Sequence, residues 1–358
     1  MKKSQEVVVN ARFLTKPVTG VQRFAIEISR RLRKYLPDVH FVSPSNIVLE
    51  EVARELDVEV FGLGKGHVWE QIDLPLYLKK RGEPILLNLE STAPIYYQNK
   101  ITTLHDIAFI RYPETYSWYF RTYYRLLTPI MLRTSKKVIT VSNFSKREIV
   151  SKYKLPEDKV VVVYNAVSEK FTPIKNRGFR EHKYILAVSS INKRKNFSSL
   201  LRAFSRLSVK NIMLYVVGEE HRVFGEGGIS PDLVNIPNVQ FVGRVDDEKL
   251  IELYSNAVFF VFPSLYEGFG IPPLEAQACG CPVLVARASA LPEIYKDSAL
   301  YCDPWDVEDI ANKMERLLSD SALREELINK GFENVKRFNW NKSAEKVAQI
   351  VQDIREND

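Results

Sequence analysis

The sequence predicts an α/β protein with two doubly wound, Rossmann-like domains, each a parallel sheet covered by helices. Three observations support this fold class. The chain has 358 residues, more than one hydrophobic core usually supports. Short apolar runs alternate with amphipathic stretches along the whole chain, as is typical of parallel sheets. The alternation stops at a polar segment, Thr172–His182, and then restarts. We therefore place the domains at 1–173 and 183–337, with a last helix in 338–358.

In the first domain, seven apolar runs are predicted to be strands. They are Glu6–Asn10, Val39–Ser43, Val58–Phe61, Pro84–Leu89, Lys100–Leu104, Lys137–Ser142 and Lys159–Asn165. The stretch Val21–Tyr35 lies between the first two runs and has apolar residues at helical spacing. The second domain has six such runs. They are Tyr184–Ser189, Ile212–Gly218, Val239–Val242, Val258–Phe262, Pro282–Ala286 and Ala299–Cys302.

Helices are predicted between and after the strands of the second domain. Asp246 is a suitable N-cap for a helix over Asp247–Ser255, because its side chain can accept from the first free N–H groups. Three helical stretches close the chain: Val307–Leu318, Ala322–Arg337 and Lys342–Ile354. Doubly wound sheets bind ligands in a cleft at the carboxyl ends of their strands. Residues that directly follow a strand are therefore the candidates for function.

The composition excludes several classes of protein. A hydrophobic content of 45% and a charged content of 27% are typical of a globular chain. No apolar run approaches the roughly 20 residues of a membrane span, and the first residues lack the apolar region of a signal peptide. We expect a cytoplasmic protein with reduced thiols at Cys279, Cys281 and Cys302. No recognition helix, zinc finger or RNP signature is present, so no nucleic-acid partner is expected.

The most informative stretch is Glu267-Gly-Phe-Gly-Ile-Pro-Pro-Leu-Glu275, which follows the apolar strand Val258–Phe262. Its glycines allow close approach of backbone to a ligand, and its two prolines suit the first turn of a helix. The N–H groups at such a helix start attract an anion, for example a diphosphate. The carboxylates of Glu267 and Glu275 can accept hydrogen bonds from the hydroxyls of a sugar or a ribose. The alternative is an ordinary strand-turn-helix with two solvated glutamates.

Three other segments also follow predicted strands. Ser189–Asn196 contains Lys193-Arg194-Lys195, which can meet phosphate through charge-assisted hydrogen bonds or be a basic surface loop. His105-Asp106 follows Lys100–Leu104, where the histidine is either functional or structural. Gly20 lies in a loop after the first strand and is either a plain turn glycine or a point of close approach to a ligand. The glycines from Gly62 to Gly66 lack dinucleotide-binding and Walker spacings.

The run from Glu267 through Glu275, with Ala276–Val283 and Ala288–Glu293 behind it, resembles retaining glycosyltransferases of the GT-B fold, glycosyltransferase family 4. The resemblance implies that Glu267 contacts the transferred sugar and that Glu275 binds the ribose. It also implies that the N–H groups of Phe269, Gly270 and Ile271 hold the diphosphate.

The same resemblance assigns further donor-binding residues. Arg194-Lys195 matches an Arg-Lys pair of the family, whereas Ser189-Ser190 replaces its Gly-Arg pair. Arg194 and Lys195 are therefore the main phosphate-binding candidates, with Ser190 and Val245 as additional donor-binding residues.

A mannosyltransferase-like subgroup is similar in three more segments: Trp69–Pro75, Thr102–Pro113 and Val141–Lys146. This similarity implies that His105 reaches the transferred sugar, and the family implies that Gly20 lies near the diphosphate or the acceptor. No Asp-x-Asp pair is present, which agrees with a reaction that needs no metal and no cofactor.

The sequence therefore predicts a retaining transferase that moves a hexose, mannose as first choice, from a nucleoside-diphosphate sugar to a glycan or lipid-linked glycan. Two enzymatic alternatives remain open, a GT-B sugar-nucleotide epimerase and an inverting transferase. A third alternative is a non-catalytic, nucleotide-sugar-binding scaffold at a membrane.

The first half of the chain also suggests a partner. Residues 1–173 carry 27 Lys and Arg against 18 Asp and Glu, a net charge of +9, while the rest has a net charge of −2. The stretch Phe109–Lys137 combines an aromatic stripe with five cations. The stripe is Tyr116, Tyr119, Phe120, Tyr123 and Leu127, and the cations are Arg121, Arg125, Arg133, Lys136 and Lys137. This combination predicts either core packing or an interfacial helix on the inner face of an anionic membrane.

Overall fold

The computed structural model describes residues 5–174, 183–190, 192–209, 211–218 and 236–357. The chain forms two compact units. The first contains Met1–Ile110, Trp118–Asn165 and Asn339–Asp358, and the second contains Arg111–Ser117 and Ala166–Phe338. Each unit has its own parallel sheet flanked by helices. The predicted α/β fold with two Rossmann-like domains is confirmed.

The first sheet has the strand order β3-β2-β1-β4-β5-β6-β7, with all neighbours parallel. Its strands are β1 (Val7–Asn10), β2 (Val39–Ser43), β3 (Glu59–Val60), β4 (Ile85–Asn88), β5 (Lys100–Thr103), β6 (Lys137–Thr140) and β7 (Val160–Val162). The order changes direction between β1 and β4. Such a switch point opens a crevice at the carboxyl ends of the two strands.

The second sheet has the order β10-β9-β8-β11-β12-β13 and is also parallel. Its strands are β8 (Tyr184–Val188), β9 (Met213–Val217), β10 (Val239–Gly243), β11 (Phe259–Phe262), β12 (Val283–Ala286) and β13 (Leu300–Cys302). Here the order changes direction between β8 and β11. The segments that follow these two strands are therefore brought together.

Helices connect the strands in both units. In the first half of the chain they are α1 (Gly20–Tyr35), α2 (Glu50–Glu55), α3 (Gly66–Val68), α4 (Leu74–Lys80), α5 (Ala108–Arg111), α6 (Trp118–Thr134) and α7 (Asn143–Tyr153). In the second half they are α8 (Phe197–Ser205), α9 (Asp247–Asn256), α10 (Ile271–Ala278), α11 (Leu291–Tyr295), α12 (Val307–Ser319), α13 (Ser321–Val335) and α14 (Trp340–Asn357). A single π-helical turn, Trp69–Asp73, joins α3 to α4.

The helices cover both faces of the sheets, so the central strands are buried along their whole length. Every residue of β1, β4, β5, β11 and β12 is buried. This is why strands such as β11 and β12 appear in the sequence as continuous apolar runs instead of an alternating pattern. In the second core, Leu200, Phe259 and Met314 are among the fully buried side chains.

The two edge strands of the first sheet are shorter than predicted. The run Val58–Phe61 gives only the two-residue β3, and Lys159–Asn165 gives the three-residue β7. Both strands lie at the edges of the first sheet, where each has one neighbour. An edge strand is held by fewer ladder hydrogen bonds than a central one, so its regular part is shorter.

The last helix packs within the first unit. Trp340 at the start of α14 contacts Phe24 of α1 edge-on, with ring centroids 6.1 Å apart. At the other end, the Arg355 guanidinium donates to the Asp38 carboxylate at 2.6 Å and to the Gln5 carbonyl. The last helix thus returns to the unit in which the chain begins, as the family resemblance implies.

Several other predictions concern boundaries and chemistry. Of the expected linker, only Thr172–Ile174 belongs to the described part of the chain. The glycine-rich stretch Gly225–Gly228, which its composition predicts to be a mobile loop, lies outside the described residues. The three cysteines are buried and unbridged. None of the described helices is long and apolar enough to cross a membrane.

Lys100 is a fully buried cation at the start of β5. Its ammonium donates to the Thr134 hydroxyl at 2.8 Å and to the Tyr97 carbonyl. Burial, with a smaller contribution from Lys159, lowers the pKa of Lys100 from 10.5 to about 7. The unfolded chain therefore keeps a proton that the folded protein releases, over the window from about pH 7 to 10.5.

We predict that the free energy of unfolding gains a positive slope with pH from Lys100 in this window, because the unfolded state binds more protons. The melting temperature of the wild type, relative to Lys100→Met, should rise as the pH increases from 7 to 10. Lys152→Met removes an exposed lysine and is the matched control, which should show no such trend. A wild-type advantage that is constant with pH would contradict a neutral Lys100.

Candidate functional site

The turn between β11 and α10 is fixed by glycine and proline. Gly270 has φ +86°, and a Cβ at this position would lie 2.6 Å from the Leu291 Cδ2 atom. Only glycine meets both conditions without displacing its neighbours. Pro272 and Pro273 occupy the first helical positions of α10, where N–H groups have no partner within the helix. The predicted strand-turn-helix is present at the carboxyl edge of the second sheet.

The Glu267 carboxylate lies in this turn and is buried. The Lys195 ammonium is 2.5 Å from one of its oxygens, and the Arg194 guanidinium is 3.3 Å from the other. The Ser264 hydroxyl donates to the first oxygen at 2.6 Å. The structure therefore places two adjacent cations against a carboxylate that lies more than 70 positions further along the chain.

The cations keep Glu267 ionised. Burial by itself would raise the pKa of this carboxyl, but Lys195 and Arg194 outweigh it and hold the pKa below its usual range. Lys195 also lies 5.1 Å from the centre of the Phe262 ring, a cation–π distance. The cluster carries one negative and two positive charges, so an anion would meet a net positive site.

Backbone and side-chain hydrogen bonds hold the loops of this cluster. The Asn196 amide donates to the carbonyls of Pro263, at 3.2 Å, and Pro304, at 2.7 Å. The N–H of Glu267 donates to the Ser289 hydroxyl at 2.9 Å. The loops after β8, β11, β12 and β13 are thereby joined around the carboxylate.

Glu275 lies one turn into α10 and is also buried. The Tyr254 hydroxyl, at the end of α9, donates to one of its carboxylate oxygens at 3.3 Å. Burial raises the pKa of Tyr254 well above its usual value, and the Glu275 charge adds to this. Tyr254 therefore stays protonated and keeps one side of the Glu275 carboxylate oriented.

The remaining donor-binding candidates occupy strand-following loops of the second unit. Ser190 is exposed and accepts from the Asn192 amide at 3.1 Å. Val245 is half-buried and precedes Asp246, whose carboxylate accepts from the Lys249 N–H at 2.8 Å. The Asp246 cap of α9 is thus confirmed. The Phe269 ring packs edge-on against Phe338 with centroids 5.3 Å apart.

His105 belongs to the first unit and follows β5. Its Nε2 atom lies 3.2 Å from the Leu89 carbonyl oxygen, and its ring contacts Phe24 edge-on. Burial lowers the pKa of His105, against the opposing effects of the Leu89 carbonyl, Asp106 and Glu90. The neighbouring Asp106 caps the N–H of Ala108 at 2.9 Å. A neutral, oriented imidazole results.

Gly20 is exposed and begins α1. The loop around it is tied to Glu90, which follows β4. One Glu90 oxygen accepts from the Lys16 ammonium at 3.1 Å and from the Gln22 amide at 2.9 Å. The segment that carries Gly20 is therefore attached on both sides to one carboxylate.

Several residues of these clusters could not be identified from the sequence. Asn196 ends the basic loop after β8 and Ser264 lies between β11 and Glu267, but nothing local distinguishes them from ordinary loop residues. Tyr254 and Glu90 carry no local signal, because their partners are distant in sequence. Among the described residues, no three His, Cys, Asp or Glu side chains are placed to hold a metal ion.

A cavity of about 660 Å³ also exists in the second unit. It is lined by Lys183, Ile212, Val258 and Pro282, which immediately precede strands. It therefore lies at the amino edge of the sheet, opposite Glu267. Because parallel sheets bind ligands at their carboxyl edges, we assign the site to the Glu267 turn and not to this cavity.

Comparison with family models assigns the chain. Residues 18–171 match the model described as Glycosyltransferase Family 4, and residues 168–334 match the model described as Glycosyl transferases group 1. The chain belongs to the family 4 glycosyltransferases. The resemblance seen at Glu267–Glu275 and Arg194-Lys195 is thus confirmed at the level of the family.

Relatives of this family 4 glycosyltransferase include bacterial mannosyltransferases. It is 31% identical over 260 residues to O-antigen chain mannosyltransferase B of Escherichia coli, covering 69% of this chain and 68% of the relative. It is 29% identical over 274 residues to the O-antigen chain mannosyltransferase RfbU of Salmonella typhimurium, covering 75% and 76%.

Solved structures confirm the GT-B fold of the glycosyltransferase. A sucrose-phosphate synthase from Thermosynechococcus elongatus superposes with a TM-score of 0.77 at 19% identity, covering 99% of this chain and 100% of that one. HepE of Anabaena, in complex with UDP and glucose, superposes with a TM-score of 0.76 at 16% identity, covering 98% and 100%.

We predict that Glu275→Ala weakens binding of the nucleotide sugar by about 1–3 kcal/mol, because hydroxyl groups of the ligand lose their acceptor. Tyr254→Phe removes only the hydroxyl that orients Glu275 and should cost less. Calorimetric titration with the tightest ligand among GDP-mannose, UDP-glucose and dTDP-glucose measures both effects. Glu252→Ala, which removes a half-buried carboxylate of α9 that pairs with Lys249, is the control. Unchanged affinity in Glu275→Ala would remove Glu275 from the ribose role.

Proposed function

We propose that this glycosyltransferase moves a hexose, with mannose as first choice, from a nucleoside-diphosphate sugar to a glycan or lipid-linked glycan, with retention of configuration. The observation that carries the proposal is the buried Glu267 carboxylate, held by Lys195 and Arg194 just before α10. A carboxylate accepts hydrogen bonds from sugar hydroxyls, while cations and helix N-terminal amides attract a diphosphate. The Glu267 cluster and the start of α10 thus offer a hydrogen-bond acceptor to the sugar and positive charge to the diphosphate of a nucleotide sugar.

In the proposed reaction, the bond between the anomeric carbon and the diphosphate oxygen breaks, and the diphosphate takes the electron pair. Arg194, Lys195 and the amides of Phe269–Ile271 stabilise the charge that develops on it. The acceptor hydroxyl oxygen forms its bond to the anomeric carbon on the face from which the diphosphate departs, and its proton passes to the departing diphosphate oxygen, without a covalent enzyme intermediate. Because the protein supplies this positive charge, we propose a reaction without metal or cofactor.

The choice of mannose and of a glycan acceptor is supported by the names of the relatives, two of which are O-antigen chain mannosyltransferases. Glu275 is assigned to the ribose, and Ser190 and Val245 to further donor contacts. His105 is assigned to the transferred sugar. A sugar-nucleotide epimerase, an inverting transferase and a non-catalytic scaffold are the alternative outcomes of the test.

The proposal predicts that His105→Ala lowers kcat more than it weakens binding of the free nucleoside diphosphate, because the imidazole acts on the sugar as it becomes cationic. Turnover of GDP-, UDP- and dTDP-sugars with a mannose oligosaccharide acceptor is measured by release of nucleotide. NMR of the product determines its anomeric configuration.

His40→Ala replaces a half-exposed histidine of β2 in the same unit and should retain wild-type turnover. An inverted product would identify an inverting transferase, and an epimerised nucleotide sugar an epimerase. Nucleotide-sugar binding without any turnover would favour the scaffold. A His105→Ala variant with normal kcat and only a lower melting temperature would assign His105 to structure.

We further propose that the first unit associates with an anionic membrane surface through α6. The half-buried Phe120, Tyr123 and Leu127 of the aromatic stripe pack against the unit, but another row on the helix is exposed. Leu126 and Ile130 are its apolar members, and Arg125 and Arg133 are its cations. Apolar side chains flanked by cations suit the headgroup zone of a bilayer.

A second exposed apolar row runs along α3, the π-helical turn and α4. Val68, Ile72 and Leu76 follow one another at intervals of four residues, which places them on one side of this continuous helix. The ring of His67, at the start of this helix, lies 4.4 Å from that of Tyr123 of α6. The two rows therefore belong to neighbouring helices of one unit.

We predict salt-sensitive flotation of the wild type with vesicles that contain anionic lipid, since each surface cation contributes roughly 1 kcal/mol and is screened by salt. The triple variant Arg121→Gln, Arg125→Gln, Arg133→Gln should lose most of this association. Lys136 and Lys137 are left unchanged because they lie beyond α6, and Lys137 donates to the Asp158 carbonyl.

The matched control for the flotation experiment changes the same number of charges on another helix of the first unit. It carries Lys146→Gln, Arg147→Gln and Lys152→Gln on α7. Equal loss in both triple variants would indicate a diffuse charge effect and not a surface on α6. A wild type that stays in the soluble fraction at low salt would contradict the membrane role.

A further inference from the structure

The first unit contains a buried ionic network at the carboxyl edge of its sheet. Arg12, which follows β1, contacts Glu70 at 3.1 Å and Glu90 at 3.0 Å. The Thr92 hydroxyl accepts from the Arg12 guanidinium at 2.7 Å and donates to Glu70 at 3.0 Å. All four side chains are buried. The donor chemistry assigned to the second unit does not use this network.

Glu70 remains ionised within the network. Burial by itself would raise the pKa of its carboxyl, but Arg12, with contributions from His67 and Thr92, lowers the pKa to about 2. The π-helical turn Trp69–Asp73 directs this side chain inward, where the Asn10 amide also donates to it at 3.0 Å. A charge held in this way gives its neighbours a fixed orientation.

His67 is the neighbour that reaches the surface. Its Nδ1 atom lies 3.4 Å from the second Glu70 oxygen, and its side chain is 31% exposed. An ionised carboxylate can only accept a hydrogen bond, so Nδ1 of His67 carries a proton. The Nε2 atom is then left as a polar atom at the end of an oriented ring, where it can hydrogen-bond a ligand hydroxyl.

Two tyrosines of α6 continue the surface beside His67. The ring of Tyr123 lies 4.4 Å from that of His67, and Tyr119 stacks on Tyr123 with centroids 6.2 Å apart and an interplanar angle of 18°. Tyr119 is 68% exposed. We name His67, Tyr119 and Tyr123 the aromatic platform. His67 connects the platform to the Arg12–Glu70 network through its contact with Glu70.

We propose that the aromatic platform binds a sugar ring of the acceptor glycan. The inference rests on the proposed function, because it assigns a place to the second substrate of that reaction. An aromatic face meets the C–H groups of a sugar, and an oriented polar atom such as the His67 Nε2 can hydrogen-bond one hydroxyl, which both donates and accepts. Apolar pockets with a few fixed polar groups are the usual form of small-ligand sites.

The polar surroundings favour a glycan over lipid at this place. The platform lies at the first turns of α6, against an ionised network that also holds Lys16 through Glu90. The exposed apolar pair Leu126 and Ile130 lies one to two turns further along α6. A hydroxyl-rich ligand can form hydrogen bonds with the polar groups at the platform. Acyl chains have no hydrogen-bonding groups and cannot use them.

The direct test is saturation-transfer NMR with an α-linked mannotriose, and with the corresponding glucose trisaccharide as a second probe, on the full chain without donor. The wild type should give saturable transfer to at least one probe. Tyr119→Ala should raise the apparent Kd about 2- to 10-fold, the range expected for loss of one aromatic contact. His67→Phe keeps a ring at this position but removes Nε2, and should also weaken binding.

Tyr96→Ala is the matched control, because Tyr96 is an exposed tyrosine of the same unit that lies before β5, at the amino edge of the sheet. It should bind the trisaccharides like the wild type. In turnover assays, the platform variants should raise the acceptor KM while hydrolysis of the nucleotide sugar by water stays at the wild-type rate. A structural role alone would lower both activities together.

Three results would overturn the inference. The first is a wild type that shows no saturation transfer to either trisaccharide. The second is equal trisaccharide binding by Tyr119→Ala and the wild type. The third is a Tyr119→Ala variant that no longer floats with vesicles but still binds the trisaccharides like the wild type. The proposed function fails separately, since the NMR experiment needs no donor. A wild type that binds a trisaccharide through the platform but no nucleotide sugar would contradict the proposed function and still support the platform.

Discussion

A buried carboxylate stays ionised only where cations lie against it, and Glu267 meets this condition through Lys195 and Arg194. The two cations follow β8 and the carboxylate follows β11, neighbouring strands at the switch point of the second sheet. The ion pairs therefore join two loops as well as balancing charge. Removing one partner of a buried pair commonly costs about 3–5 kcal/mol, because the other is left uncompensated. The proposed donor site and the local fold thus depend on the same contacts.

The first unit follows the same physical rule at its own switch point. Arg12 follows β1 and Glu90 follows β4, and their contact joins the two strand ends. Glu70 reaches this network from the π-helical turn, a distortion that is common at functional sites. The network contains two cations, Arg12 and Lys16, and two carboxylates, Glu70 and Glu90. Its charges are therefore balanced without a ligand. It orients the residues at its margin, and this is the basis for the role assigned to His67.

The sequence predicted the strands well because both sheets are parallel and covered on both sides. Short continuous apolar runs such as Val258–Phe262 are typical of strands that are buried on both faces. Turn chemistry was equally informative, since Gly270 and Asp246 have the conformation and the cap that their residue types favour. The length of β3 was overestimated, because its hydrogen bonding depends on a position at the edge of the sheet. The stripe on α6 was predicted either to pack in the core or to lie at a membrane interface, and its members differ: Phe120 and Leu127 are half-buried, whereas Tyr119 is exposed.

The sequence by itself determined the fold class, the strand-turn-helix at Glu267 and the family, because these depend on residues that lie close together along the chain. Only the tertiary structure decided which side chains pair across loops. Ser264 and Asn196 hold the Glu267 cluster, Tyr254 orients Glu275, and Glu70 fixes His67, and no local pattern marks them. The bonds of Asn196 and Tyr254 join loops and helices that become neighbours only when the chain has folded, and Glu70, three residues from His67, is itself held by Arg12 of another loop. Hydrogen bonds and ion pairs act over a few ångströms, so the partners of a buried polar group are known only once the chain has folded.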